Sequence, residues 1–263
     1  GWQAQSGGAM QGNYWEAHAN FPQTYAGIYQ TIPGTCVSRV CMFFPANGRD
    51  YYHDRLMFQH LAEEPEYGPM FISKFWYDGG TGNEDDQNYP WLTFPLIDPD
   101  PSTDLGYEWM RMVQKCITWD YQIHGDKPAD HYKREGAWDK PDMTRYGQVL
   151  LEQIPYDTDW WRAPKEMSPQ QLGYSVCPLK IDGGTAMALL DGYISKKRGG
   201  DWRAAFVGVK PNGDPVYGDV VKTGGTVTLK TAGLDKLYLI VCAVPTKIMA
   251  INMTGDFRSL EQE

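Results

Sequence analysis

The sequence lacks the glycine-rich and serine-centred turns that several large enzyme classes need. It contains no G-x-x-x-x-G-K-[ST] and no G-x-G-x-x-G, the loops whose backbone N–H groups hold phosphates. It also contains no G-x-S-x-G nucleophile elbow and no EF-hand spacing. These absences argue against nucleotide binding on the common scaffolds, against serine hydrolysis and against an EF-hand calcium site.

Long apolar runs and positive charge are also scarce. The longest apolar run covers residues 237–245, far short of the ~20 residues that a membrane-spanning helix needs. Lys and Arg total 24 against 33 Asp and Glu, which gives a net charge of −9 and a pI near 5.1. Nucleic-acid binding without sequence preference rests on cations that neutralise phosphates, so this balance argues against it. We therefore expect a folded globular protein with no membrane span and no nucleic-acid partner.

Cysteine and histidine are few and are not arranged as metal-binding motifs. The five cysteines and five histidines form no C-x-x-C pair and no zinc-finger spacing. Cys36 and Cys41 bracket a short loop and can close a disulfide if their geometry allows it. Cys116, Cys177 and Cys242 lie in apolar or strand-like stretches and are expected to be buried thiols.

Aromatic residues, in contrast, are abundant. They make up 14% of the chain, with 10 Trp and 17 Tyr. Two interpretations stay open at this point. The rings can build an aromatic-rich core, or some of them can form an exposed stacking surface for sugars or peptides.

The pattern of the chain changes near residue 165, which predicts an α+β fold. We expect a mainly helical, catalytic-like subdomain over residues 1–165, followed by an antiparallel β-sandwich over residues 166–263. Helical periodicity and capping residues predict helices over residues 14–29, 50–64, 70–76, 105–119 and 145–154. Pro65 ends the second of these helices, and Ser102, Thr103 or Asp104 caps the fourth.

The part after residue 165 reads as short strands at the spacing typical of an all-β module. The predicted strands cover residues 174–181, 185–193, 202–209, 216–221, 226–231, 236–243 and 248–253. Asn212-Gly213 lies between two of them and is a strong hairpin signal.

Two segments hold side chains that can carry chemistry. In Y-W-E-A-H-A-N, residues 14–20, Glu16 sits among aromatic and small residues. A carboxylate in such company is costly to bury unless it is paired, hydrogen-bonded or bound to a metal. The second segment is Y-Y-H-D, residues 51–54, which leads into the helix with His60 and Glu64. His53, His60 and Glu64 fall on one helical face, but three turns are too long for one zinc ion, and a packed helix face is favoured.

These segments carry a resemblance to a known family. G-W-Q-A-Q-S-G-G at the start, followed by Y-W-E-A-H-A-N-F, resembles the stretch after the zinc motif in secreted bacterial and fungal proteins similar to gluzincin metallopeptidases. In that family, H-E-x-x-H precedes a Trp/Gln-rich turn with Gly-Gly, and W-E-x-x-A on the next helix supplies a third metal ligand. Residues 52–76, with F-Q-H-L-A-E and Y-G-P-M, resemble the family's F-x-Q-Y-L-A-E-x-Y-G helix pair. W-R-A at residues 202–204 and the strands around it match the family's carboxy-terminal sandwich in style.

The resemblance implies a site and a reaction. Glu16 takes the place of the third zinc ligand, and one of Tyr51, Tyr52 or His53 takes a place near the substrate carbonyl. Tyr52 and His53 are the catalytic candidates, since either can stabilise a developing oxyanion. The implied enzyme is secreted, and its reaction is zinc-assisted hydrolysis of a peptide, glycoprotein or glycan substrate.

One departure from the family pattern limits this expectation. The chain has no H-E-x-x-H, because none of its five histidines is followed by Glu. Two histidine ligands and the general base are therefore missing, and one glutamate cannot hold a catalytic zinc. We expect a chain that is cut just after the motif, or else a member that never had it. In either case we expect no peptidase activity from this chain alone.

Two alternatives to the hydrolase remain open. The aromatic content, acidic pI and predicted sandwich also fit a carbohydrate-binding or glycoside-hydrolysing protein. The carboxylate pair of such a hydrolase would consist of Glu16 and a partner from the set Glu63, Glu64, Asp78 and Asp120. The second alternative is a non-catalytic adhesion or structural module, in which Trp160-Trp161 would lie in an interdomain core.

Overall fold

The chain folds as an α+β protein, and every strand pair among the residues that the structure describes is antiparallel. The computed structural model describes residues 55–77, 90–100, 104–123, 127–128, 149–164, 168–169, 171–193 and 199–244. Within these ranges the helices are α1 (Arg55–Glu63), α2 (Phe71–Tyr77), α3 (Pro90–Ile97) and α4 (Leu105–Thr118). None of these helices has the length and apolar character that crossing a bilayer requires.

The strands in the described ranges fall into one sheet of five and three separate pairs. They are β1 (Gln122–Ile123), β2 (Lys127–Pro128), β3 (Glu152–Ile154), β4 (Asp157–Arg162), β5 (Tyr174–Leu179), β6 (Thr185–Leu189), β7 (Trp202–Val209), β8 (Pro215–Tyr217), β9 (Val221–Lys222), β10 (Thr226–Lys230) and β11 (Lys236–Ala243). The larger sheet has the order β5-β11-β7-β8, with β9 also paired to β7. The pairs are β1–β2, β3–β4 and β6–β10.

Helix α4 forms because its sequence carries a complete set of helix signals. Asp104 has an extended backbone, and its Oδ1 accepts a hydrogen bond from the Tyr107 N–H at 2.6 Å, as an N-cap does. At the other end Trp119 is left-handed, with φ at 53°, and its N–H bonds to the Lys115 carbonyl. Its buried stripe includes Leu105, Trp109, Met112, Val113 and Cys116. The predicted helix over residues 105–119 and its Asp104 cap are confirmed.

The other helices follow the sequence to different degrees. Helix α1 lies within the predicted range 50–64 and ends before Pro65. Helix α2 extends one residue beyond the carboxy-terminal end of the predicted range 70–76. Helix α3 was not predicted, since its segment is almost uniformly apolar and contains Pro90 and Pro95. A segment without alternation between polar and apolar residues gives no helical period to detect.

The central strands β7 and β11 are buried on both faces. Their bounds equal the predicted ones, and they pair along their whole length, from Lys236 opposite Val209 to Ala243 opposite Trp202. Because successive side chains point to opposite faces, one face packs on the helices and the other on β6 and β10. The helix side includes Ala205, Val207, Tyr238 and Ile240, and the other side includes Ala204, Phe206 and Leu237.

Two strand and helix predictions are corrected by the structure. The helix predicted over residues 145–154 is wrong, because Glu152–Ile154 is strand β3 paired with β4. Pro155 disfavours the helical conformation at Ile154, and the following turn returns the chain as a hairpin. The strand predicted over 216–221 is two short strands, interrupted where the Gly218 N–H bonds to the Phe206 carbonyl. The helix predicted over 14–29 and the strand over 248–253 lie outside the described residues.

Buried side chains from before and after residue 165 join in one cluster. It contains Trp109 and Met112 of α4 together with Tyr174 of β5 and Ile240 of β11. Trp109 also donates its Nε1–H to the Leu172 carbonyl at 2.8 Å. The division into two domains at residue 165 stays a prediction. Cys116, Cys177 and Cys242 are buried thiols that form no disulfide, as predicted.

Asp104 joins the start of α4 to the sheet. Its Oδ2 lies 3.1 Å from Arg203 Nη2 on β7 and 2.7 Å from Lys222 Nζ on β9. Burial opposes the ionisation of Asp104, but the hydrogen bond from Lys222 and the charge of Arg203 hold its pKa below the usual range. One carboxylate therefore caps the helix and neutralises two cations of the sheet.

We predict that Asp104→Ala lowers the free energy of unfolding by about 2 kcal/mol, since it removes the cap and leaves the buried Arg203 with one carboxylate fewer. Asp104→Asn is the matched control, because Asn caps helices well but carries no charge. It should cost roughly half as much. Urea denaturation of the three proteins checks this, and an Asn variant as unstable as the Ala variant would show that the cap contributes nothing.

Candidate functional site

Helices α1 and α4 pack with a buried histidine of one against a buried glutamate of the other. His60 lies on the apolar face of α1 and is 0% exposed, and Glu108 lies within the buried stripe of α4 and is 1% exposed. His60 Nε2 is 2.8 Å from Glu108 Oε2, which is a hydrogen bond. Two titratable groups are thus removed from water together.

Three charged side chains surround this pair. His60 Nδ1 lies 3.5 Å from Glu64 Oε1, a long contact between the second ring nitrogen and a carboxylate. The Glu64 carboxylate in turn accepts two hydrogen bonds of 2.9 Å, one on Oε1 from Lys115 Nζ and one on Oε2 from Arg111 Nη2. We call His60, Glu64, Glu108, Arg111 and Lys115 the His60 cluster. The carboxylate of Glu63 lies beside the cluster, 3.7 Å from Lys115 Nζ.

The surroundings set a different protonation state for each group of the cluster. Burial lowers the pKa of His60 well below its usual value, and the positive charge of Lys115 lowers it further. Burial raises the pKa of Glu108 to about 7. Burial also acts against the ionised form of Glu64, but Lys115 and Arg111 outweigh it and keep its pKa low. His60 is therefore neutral and Glu64 ionised, and below pH 7 Glu108 is a carboxylic acid.

These states assign a direction to the hydrogen bond between His60 and Glu108. A protonated Glu108 donates to His60 Nε2, so the ring proton of the neutral imidazole is on Nδ1 and faces the ionised Glu64. The result is a carboxylic acid, an imidazole and a carboxylate in series. Since Glu108 and His60 are both buried, a substrate has no access to them, and they act through the helices that they join.

The residues predicted for catalysis and zinc binding lie elsewhere in the chain. Glu16, Tyr51, Tyr52 and His53 are outside the described residues, as are Asp78 and the pair Cys36 and Cys41. In the sequence, Tyr52 and His53 precede the first residue of α1 by three and two positions.

The structure brings together two of the three residues that were considered as sharing one ion. His60 and Glu64 are in contact, but Lys115 and Arg111 occupy the carboxylate of Glu64, which is an unfavourable place for a further cation. In the part of the chain that the structure describes, no group of three or more His, Cys, Asp or Glu side chains is arranged to hold a metal. A packed helix face is the interpretation that fits.

The other predicted carboxylates and the tryptophan pair are also placed. Glu63 and Glu64 both lie against Lys115, and Asp120 accepts a hydrogen bond from the Tyr217 hydroxyl at 2.9 Å. Trp160 is partly exposed and Trp161 is 55% exposed on β4. The expectation that Trp161 lies in an interdomain core is therefore wrong.

The sequence reasoning missed Glu108, although a signal for it exists. His60 was recognised among the apolar positions of α1, and Glu108 falls within the apolar stripe of the next well-capped helix. A histidine in one apolar stripe and a carboxylate in another are each costly to bury alone, so they indicate a pair.

Comparison with known proteins matches the chain to one family model over nearly its whole length. The model of a protein family described as a family of unknown function (DUF6055) matches residues 2–262. No curated protein and no solved structure matches the chain.

We predict that the stability contributed by Glu108 falls as the pH rises from 4.5 to about 7. Folding raises the pKa of Glu108, so in this pH window the folded state holds a proton that the unfolded state has released. The stability that this proton contributes is lost as the pH rises to the pKa of the folded state. In Glu108→Gln the amide keeps a hydrogen-bond donor at every pH. The unfolding free energy of the wild type minus that of the variant should therefore drop by about 3 kcal/mol across the window. A difference that is constant with pH would contradict the assignment.

We predict that Lys115→Met lowers the free energy of unfolding by roughly 1–3 kcal/mol, because Glu64 loses a charged partner in a half-buried site. Arg162→Met is the control, since Arg162 and its partner Glu152 are 63% and 52% exposed and lie 3.6 Å apart. An exposed pair of this kind contributes about 0.5 kcal/mol or less. Equal effects of the two substitutions in urea denaturation would show that the His60 cluster is no more than a surface network.

Proposed function

We propose that this chain, which belongs to the DUF6055 family of unknown function, forms the part of a secreted zinc-metallopeptidase-like hydrolase that follows the H-E-x-x-H motif. Its helical part is gluzincin-like, its later strands belong to a β-sandwich, and its substrate is a peptide or glycoprotein. The proposal rests on the sequence resemblance of the segments around Glu16 and around residues 52–76.

One structural observation supports the resemblance. The F-Q-H-L-A-E segment, residues 58–63, lies in the helix α1, and Phe58, Leu61 and Ala62 are buried. The Y-G of the motif forms the turn before α2, where Gly68 has φ at 72° and a side chain would strain the backbone. The motif thus describes a helix, a turn and a second helix, as it does in the family it resembles.

In this proposal the residues of the chain have distinct roles. Glu16 is a zinc ligand through its carboxylate, and Tyr52 and His53 donate hydrogen bonds to the oxygen of the substrate carbonyl as negative charge develops on it. A zinc ion supplies a water of lowered pKa when it is bound. Glu16 alone does not make a catalytic zinc site, which takes three protein ligands. The two remaining ligands and the base belong to the H-E-x-x-H segment, which this sequence does not contain.

The His60 cluster has a supporting part in this account. Tyr52 and His53 stand directly before α1, and α1 is joined to α4 through His60, Glu64, Arg111 and Lys115. Catalytic groups need supporting contacts that hold their backbone in place. The buried hydrogen bond and ion pairs to α4 hold α1 in place, and this is the support that the proposal assigns to the cluster.

We predict that the longest natural form of the protein, purified without added metal, contains about one zinc per chain and loses it in Glu16→Gln, because an amide is a much weaker zinc ligand than a carboxylate. Elemental mass spectrometry measures the zinc content. Glu66→Gln is the control, since Glu66 is an exposed glutamate of the same chain and should retain the metal.

Two results would contradict this proposal. One is a form that includes residues well upstream of Gly1 and contains no zinc. The other is a Glu16→Gln protein with unchanged zinc content and an unchanged thermal unfolding curve. The thermal unfolding curve is also recorded for a Glu16→Gln protein that has lost its zinc. Misfolding of the variant would release the metal as well and would imitate the loss of a ligand.

A further inference from the structure

The β3–β4 hairpin exposes large side chains on a small piece of structure. Trp161 is 55% exposed, and Tyr156 in the turn is 99% exposed. Most other residues of the two strands, including Glu152 and Gln153, are exposed as well. Since a two-stranded hairpin is only marginally stable in water, a tryptophan that is left on its surface points to a role outside the core.

The register of the hairpin separates two faces. Glu152 lies opposite Arg162, and Gln153 lies opposite Trp161. Directly opposite residues of an antiparallel pair project to the same side, and neighbouring positions alternate. The ion pair between Arg162 Nε and Glu152 Oε2, at 3.6 Å, marks the charged face. Trp161 and Gln153 share the other face, which we call the Trp161 face.

The side chains of the Trp161 face have complementary chemistry. The indole is a flat apolar surface with one N–H donor at its edge, and the amide of Gln153 has both donors and an acceptor. Gln153 Nε2 donates to the Thr158 carbonyl of β4 at 2.6 Å, which holds the amide beside the strand. An aromatic plane beside an orientated amide matches a sugar ring, which has an apolar C–H face and a rim of hydroxyl groups.

Charge restricts the kind of sugar. The hairpin carries Glu152, Asp157 and Asp159 against one cation, Arg162, which is already paired. The whole chain carries a net charge of −9. Anionic glycans and anionic membrane surfaces are repelled by this arrangement, whereas hydroxyl groups find acceptors in it.

We infer that the Trp161 face binds a neutral glycan, with Trp161 as the stacking platform and Gln153 as a hydrogen-bonding neighbour. The inference does not depend on the proposed hydrolase, since it uses no zinc ligand and no residue of the His60 cluster. In a hydrolase of glycoproteins the same face would hold the glycan of the substrate.

The test uses the full chain and four oligosaccharides of equal length. The neutral probes are cellohexaose, mannohexaose and hexa-N-acetylchitohexaose, and the anionic probe is hexagalacturonate. Binding is measured by tryptophan fluorescence and by calorimetry. We predict that at least one neutral hexamer binds and that Trp161→Ala weakens its binding by about tenfold, the effect of one lost stacking contact. Trp161→Phe should retain part of the affinity, and Gln153→Ala should weaken binding less than Trp161→Ala.

Tyr193→Ala is the matched control, because Tyr193 is 77% exposed and follows β6 in the chain, outside the residues of the hairpin. It should leave binding unchanged. The inference is overturned if none of the three neutral hexamers binds, if Trp161→Ala binds as the wild type does, or if hexagalacturonate binds best. Binding of a basic peptide or of lipid vesicles in place of the neutral hexamers would also overturn it.

Discussion

An imidazole buried between two carboxyl groups is stable only when each of the three groups has a compatible protonation state, and the packing of α1 on α4 depends on that constraint. His60 is held neutral because burial and Lys115 both oppose a further proton. Glu108 meets the same low-dielectric surroundings by keeping its proton, while Glu64 stays ionised against Lys115 and Arg111. Burying any one of these groups without its partners would cost free energy. Together they join α1 to α4 with a definite proton arrangement.

Helix α4 extends this connection to the sheet. Its buried side packs on the face of β7 and β11 that carries Ala205 and Ile240. At its amino-terminal end, Asp104 binds Arg203 of β7 and Lys222 of β9. Contacts thus connect β7 and β11, which are buried on both faces, to α4, and they connect α4 to α1.

The sequence predicts the parts of the fold that local physics decides. The capping side chain of Asp104, the helical period of α4 and the β-branched or alternating runs of β7 and β11 are all contained in short windows, and these elements have the expected bounds. Helix α3 and the β3–β4 hairpin were missed, because prolines and helix-forming residues misdirect local preference there. The partnership of His60 with Glu108 spans 48 positions and is decided by packing. Glu16, Tyr52 and His53 lie outside the described residues, so their roles stay predictions.

The tautomer of His60 is the most direct measure of this account, because it reports where the proton of the buried series resides. Nitrogen-15 NMR of the two ring nitrogens at pH 6 distinguishes a protonated from an unprotonated position. The account predicts a neutral ring with the proton on Nδ1, facing Glu64, and an unprotonated Nε2 that accepts from Glu108. A proton on Nε2 would show that Glu108 is ionised and accepts the hydrogen bond, and a doubly protonated ring would show that the cluster holds a cation at its centre. Either result would contradict the proton arrangement by which the connection of α1 to α4 has been explained.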